Sequence, residues 1–138
     1  MKKMYNWKDR TFRYGRGKIM ISAETFRDAY RIIKESARNG NYICYSDVMD
    51  KLKSLGHRKI NRGTIGGIVG EVSITIANST NPSVHPSAIV VKKNSIEPGK
   101  GFWGLDKGTN PPSMVPPDKR REALSRYQET VFSRVNEW

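Results

Sequence analysis

Three observations predict an α+β fold for this 138-residue chain. Apolar residues recur at helical spacing in several separate stretches. The β-branched run "SAIVVKK" is followed by a turn and the aromatic "FWGL", which together read as a hairpin. Between these stretches Gly, Asn and Pro stand where helices and strands stop. The order is helix, short strand, helix, turn, helix, hairpin, which is the element order of a winged helix-turn-helix.

The first helix starts after Ser22, an acceptable N-cap, and places Phe26, Ala29 or Tyr30, Ile33 and Ala37 on one face. Gly40 in "RNGN" stops it. "NYICY" reads as a short strand or extended link. Ser46 is expected to cap a second helix, "DVMDKLKSL", with Val48, Met49, Leu52 and Leu55 inward and Gly56 at its end. After the turn "GHRKINR", Asn61 caps a third helix over 61–78. Its Ile65, Ile68, Val69, Val72 and Ile76 fall on one stripe, which must face a core. "NSTNPSVHP" is a loop, and the predicted wing covers 88–105. "DKGTNPPSMVPPD" reads as an extended linker. The last helix turns Leu124, Tyr127, Val131, Phe132 and Val135 to one side. The expected organisation is a basic aromatic arm over 1–21, a winged-helix domain over 22–106 and a Pro-rich linker over 107–117. A helix over 118–138 then packs back on the domain.

The charge balance bounds the partner. The chain carries 25 Lys and Arg against 13 Asp and Glu, a net charge of +12. Such a balance favours a polyanion, with nucleic acid ahead of an anionic membrane. Half of that charge lies in residues 1–20, where seven Lys and Arg accompany one Asp. Met4, Tyr5, Trp7, Phe12 and Tyr14 are interleaved with them. Rings that stack on bases among cations that meet phosphates would make a binding arm; rings that pack on the domain would make a structural tail. No apolar run approaches the roughly 20 residues of a membrane span. The N-terminus lacks an apolar signal segment, and the single Cys44 cannot form an internal disulfide, so a cytoplasmic site is expected, nucleoid-associated in a bacterium.

The third helix poses its own question, because Gly63, Gly66, Gly67 and Gly70 interrupt it at about 1 kcal/mol each against Ala. Without Cβ atoms a helix lets a neighbour approach closely. The neighbour can be another element or a nucleic-acid backbone. Gly66 and Gly70 are expected to serve packing, and Gly63 and Gly67 to leave room for a ligand.

Residues Tyr45 to Leu105 resemble the C-terminal DNA-binding domain of O6-alkylguanine-DNA alkyltransferases and alkyltransferase-like proteins. The likeness rests on Tyr45 opening a helix, "GTIGGIVG" in the place of the recognition helix, Asn81-Pro82, "PSAIVV", and the Gly-rich aromatic "EPGKGFWGL". The resemblance implies a DNA-docking frame without the family's chemistry. Ser87 stands where the alkyl-accepting cysteine would be, and Ala88 where the activating histidine would be. A serine without a neighbouring base is a poor nucleophile. The family's intercalating arginine would fall at Gly63. Arg62 is one residue away, a rotation of roughly 100° about the helix.

Catalytic groups are not expected elsewhere. His57 in "GHRK" is read as touching phosphate or water, and His85 has no acidic neighbour. Two distant histidines and one cysteine do not make a zinc site, and no cofactor is expected. "PGKG" is too short for a phosphate loop.

The candidate binding residues follow from the frame. Lys59, Asn61, Arg62, Gly63, Thr64 and Gly67 lie at the third helix's leading end, where dipole and free N–H groups favour phosphate. Asn61, Arg62 and Thr64 are the candidates for base-edge contact. Tyr45 and Ser46 open the preceding helix. Lys92, Lys93 and Lys100 flank the predicted wing, and Arg13 and Arg16 belong to the arm. The function expected is non-catalytic binding of double-stranded DNA. The alternatives are an RNA-binding or ribonucleoprotein component, or a protein-interaction module. Such a module would be an inhibitor or adaptor of a mobile element or phage, docking a partner or second copy through the last helix.

Overall fold

The computed structural model describes residues 5–138 and shows an α+β fold with four helices and a small antiparallel hairpin. The hairpin is β1 (Arg10–Tyr14) and β2 (Gly17–Ile21). The helices are α1 (Ala23–Arg38), α2 (Tyr45–Ser54), α3 (Arg62–Ala77) and α4 (Arg120–Ser133). A two-residue parallel pair joins β3 (Ile43–Cys44) to β4 (Val90–Val91). Among the described residues no helix is long and apolar enough to cross a membrane.

The helices α1 and α3 form where their sequences predict. Ser22 Oγ accepts the Thr25 N–H at 3.3 Å, and Phe26, Ala29, Ile33 and Ala37 are buried. Asn61 caps α3, whose Ile65, Ile68, Val69, Val72 and Ile76 face α1, α2 and the 86–89 turn. The second helix starts one residue before Ser46, with Cys44 as its N-cap; Ser46 Oγ lies instead 3.2 Å from Cys44 Sγ. Val48 and Leu52 are buried, but Leu55, expected inward, is 60% exposed at the helix end.

The N-terminal segment is not a free arm. β1 and β2 pair in register from Arg10↔Ile21 to Tyr14↔Gly17. Gly15, at φ 59°, supplies the left-handed first position of the two-residue turn. Alternation along a strand sends Phe12, Ile19 and Ile21 to one face and Thr11, Arg13, Lys18 and Met20 to the other. Tyr5 and Trp7 pack against Tyr30, with ring centroids 5.1 and 5.6 Å away. Lys2, Lys3 and Met4 of the expected arm lie outside the described residues.

The expected wing over 88–105 is also different. Pro86–Ile89 is a 3-10 turn, β4 pairs parallel with β3, and the return after the 92–97 turn is limited to one antiparallel bridge, Val91↔Pro98, beside the Lys92 N–H bond to the Glu97 carbonyl at 2.9 Å. "FWGL" is not a return strand but part of a second 3-10 turn, Lys100–Gly104, with Phe102 buried. The physical reason is burial on every side. Residues 83–91 are all buried, so there is no in–out alternation, and Pro98 with Gly99, Gly101 and Gly104 breaks any following strand.

The proline-rich stretch is built down rather than spanning freely. Ser83 and Thr109 exchange two hydrogen bonds, Ser83 N–H to Thr109 Oγ1 at 2.6 Å and Thr109 N–H to Ser83 Oγ at 2.7 Å. Gly108 is required there, since its φ is 79° and an added Cβ would overlap Ser83 and the Ala77 carbonyl. The helix α4 ends at Ser133, earlier than expected, and a 3-10 turn over Val135–Glu137 delivers Trp138 into the core. Its Nε1–H donates to the Val131 carbonyl at 3.2 Å. Gln128 on α4 is buried and donates to the Ala88 and Ile96 carbonyls, at 3.0 and 2.7 Å.

Candidate nucleic-acid interface

The leading end of α3 is a closed cap. Asn61 Oδ1 accepts the Gly63 N–H at 2.8 Å, and the Asn61 N–H donates to Thr64 Oγ1 at 3.1 Å. The Thr64 N–H is taken by the Asn61 carbonyl at 3.1 Å. This reciprocal arrangement satisfies groups that a helix end otherwise leaves open. It also corrects the sequence expectation. Thr64 is 1% exposed, and its hydroxyl and the Asn61 carboxamide are engaged in the cap rather than presented to bases. Arg62 alone of the three candidates projects from an exposed position.

The turn before α3 is fixed from behind. His57 Nε2–H donates to Asp28 Oδ2 at 2.7 Å, and Nδ1 lies 3.1 Å from Thr25 Oγ1. Both partners belong to α1, so His57 is a tie between α1 and the turn, not a phosphate contact. Its neighbours Arg58 and Lys59 are exposed.

The hairpin lies across the glycine face of α3. A Cβ at Gly63 would overlap the Tyr14 ring, and one at Gly67 would meet the Phe12 ring at 3.5 Å. Phe12 also packs edge-on against Phe26, and Arg10 pairs with Glu71 at 3.0 Å. The expected division of the glycines is therefore reversed. Gly63 and Gly67 receive the hairpin. Gly66 has no atom within 4 Å of an added Cβ, and Gly70 has only Leu105, at 3.9 Å.

Beyond Gly66, a groove of about 510 Å³ opens between α3 and the 99–105 segment. Tyr45, Phe102, Phe12 and Leu105 wall it, together with Gly66, Gly67 and Gly70. Tyr45 takes the Gly99 N–H on its hydroxyl at 3.0 Å, and burial raises the pKa of that phenol. Ser87 also lines the groove, but its hydroxyl donates to Ser73 Oγ at 2.9 Å. Among the described residues no histidine or carboxylate is a hydrogen-bond partner of its hydroxyl. His85, two residues away, contacts the Thr109 carbonyl at 3.1 Å, and burial lowers its pKa.

Six cations gather at one end of the molecule. Because Tyr14 sits on Gly63, the hairpin tip stands beside the start of α3. This brings Arg13, Arg16 and Lys18 to the same end of the molecule as Arg58, Lys59 and Arg62. All six are exposed, and among the described residues none is in a salt bridge. Arg13 and Lys18 are directly opposite in the hairpin register, an arrangement that destabilises a strand pair. Elsewhere Arg10, Arg27, Arg38 and Arg134 are paired with Glu71, Glu24, Glu35 and Glu137, while other exposed cations, among them Arg31, Lys51, Lys53, Lys92, Lys93, Lys119, Arg121 and Arg126, are in no salt bridge among the described residues either. Lys100 is next to the groove-lining Gly99 and Gly101. Lys92 and Lys93 begin the 92–97 turn, whose Ile96 carbonyl is held by Gln128 of α4.

Arg58 is not among the sequence candidates, whereas Lys18 and Tyr14 enter only as members of the aromatic basic arm. The hairpin that holds both is signalled in "RTFRYGRGKIMI", where alternation on both sides of a Gly-containing two-residue turn reads as two paired strands. No protein-family model matches the chain, and no significant match is found among curated proteins or solved structures.

Proposed function

We propose that this chain is a non-catalytic protein that binds double-stranded DNA. It does so with the start of α3, the turn before it and the tip of the β1–β2 hairpin. The observation that carries this reading is that the Tyr14–Gly63 contact seats a hairpin tip with Arg13 opposite Lys18 beside the exposed Arg58, Lys59 and Arg62 at the start of α3. A folded domain usually intersperses surface charges of both signs. Here like charges are held opposite one another on a two-stranded ribbon, which a polyanion would relieve. A ribbon or a helix each fits a major groove. The reading is that of a winged helix in which the N-terminal hairpin takes the wing's part. The resemblance to the alkyltransferase-like frame supports docking through α3, and the hydroxyl of Ser87, bonded to Ser73, supports a frame without alkyl transfer.

Fluorescence anisotropy with a labelled duplex at several salt concentrations tests the proposal. Six to ten phosphate contacts would give a log K against log[salt] slope of roughly −5 to −9. Binding that ignores salt, or none at low salt, would sink it. Competition by single strands and RNA of equal length separates a duplex binder from an RNA binder. The RNA alternative has residues 1–20 doing most of the binding, so deleting them should nearly abolish binding in that reading and only reduce it for a duplex binder.

A further inference from the structure

The hairpin tip carries an aromatic ring that packing buries on one side only. Tyr14 is 51% exposed, although it is the inward-facing residue at the end of β1. Its ring rests on Gly63, and any other residue at 63 would put a Cβ into it. A helix position has thus given up its side chain to seat a ring that remains half in water. Burial alone is a weak return for that. The next inward residue, Phe12, makes the contrast: it lies on Gly67 and Phe26, and is the less exposed of the two.

Cations stand next to Tyr14 along the chain and across the hairpin. Arg13 and Arg16 flank it in sequence, Lys18 lies opposite Arg13, and Arg62 precedes the glycine beneath it. No acidic residue lies between Arg10 and Met20. An exposed ring on a rigid seat, ringed by groups that hold phosphates, has the composition that stacks on bases.

We infer that Tyr14 is a stacking wedge, a ring that enters between bases of the bound duplex while Arg13, Arg16 and Arg62 hold the adjacent phosphates. This rests on the DNA-binding reading above and adds to it a residue and a mode of contact. Aromatic and apolar wedges enter at steps that unstack readily. A duplex with a central mismatch has less stacking to lose, so a wedge binds it more tightly than a matched one.

The experiment compares the two duplexes by fluorescence anisotropy for the full wild-type chain and for Tyr14→Ala, Tyr14→Leu and Tyr14→Trp. The leucine variant keeps an apolar side chain on Gly63 without a flat face, so it separates packing from stacking. Wild type and Tyr14→Trp should prefer the mismatched duplex. The alanine and leucine variants should both lose that preference and bind it roughly 5- to 150-fold more weakly, the range that base–aromatic stacking spans. A leucine variant with wild-type affinity and preference overturns the wedge. So does a wild type that binds both duplexes equally, and in either case salt-dependent binding leaves the DNA-binding reading standing. If the wild type binds neither duplex at low salt, that reading fails and the wedge falls with it.

Discussion

Two segments of this chain carry aromatic rings among lysines and arginines, residues 10–21 and residues 88–105, and they fold in opposite ways. The first is a hairpin with one wet face. The second is a pair of 3-10 turns around a two-residue strand. Residues 10–21 alternate between Phe12, Ile19 and Ile21 on one side and Arg13 and Lys18 on the other, so an antiparallel ribbon buries one set and wets the other. Residues 83–91 are buried throughout, which suits a strand or turn enclosed by α3, α4 and β3 rather than a wing in solvent. A basic hairpin is thus recognised by the period of its apolar residues, not by the lysines at its ends.

The comparison can be broken most sharply by truncating the ring that anchors each segment. Phe102 is 2% exposed, so Phe102→Ala should cost about 3–5 kcal/mol of stability by the usual price of a large core cavity. Phe12, half-buried, should lose less, on the order of 2 kcal/mol. Denaturant titration reads both, and a larger loss at Phe12 would mean that the hairpin, not the 99–105 segment, is the keystone of α3.

Charge reversal tests the same pair of segments for binding. The double change Arg13→Glu and Arg16→Glu should flatten the salt slope by about 2, since each lost phosphate contact removes roughly 0.9. The double change Lys92→Glu and Lys93→Glu should leave the slope nearly unaltered, because the proposed surface of hairpin tip and α3 start does not include them. Equal effects would dissolve the distinction between the two segments.

Smaller effects sharpen the picture along α3. Gly66→Ala should stabilise the fold by about 0.5–1 kcal/mol, because nothing opposes the added Cβ and helix propensity improves. Gly63→Ala should gain less or lose, because the Tyr14 ring must move aside. Thermal unfolding ranks the two. Arg10→Ala should change stability least, by roughly 0.5 kcal/mol, since the Arg10–Glu71 pair has its arginine 53% exposed and is screened by solvent.

Much of the framework was legible in the residues. Ser22 and Asn61 announced α1 and α3, and the apolar stripe of α3 faces the core as its spacing requires. What local signals could not give was who occupies which neighbour's space. The four glycines of α3 look alike in sequence, yet two seat the hairpin and one has no contact at all. Thr64 has the chemistry of a base reader but is consumed by the cap, and His57 has the chemistry of a phosphate ligand but is held by Asp28 and Thr25. Ser46 looked like a cap because it follows a short strand; Cys44 takes that position because β3 pairs with β4 up to that residue.

The sequence by itself determined the positive charge, the boundaries of α1 and α3 and the face that α3 turns inward. These depend on composition, caps and period, which are local. Only the tertiary structure decided that the N-terminal residues would form the hairpin that stands on α3 and that the first strand of the predicted wing and Phe102 would be buried in the core. It also decided that Tyr14 would fill the space left by Gly63. Those outcomes depend on which surfaces meet across distances in the chain that no local pattern encodes.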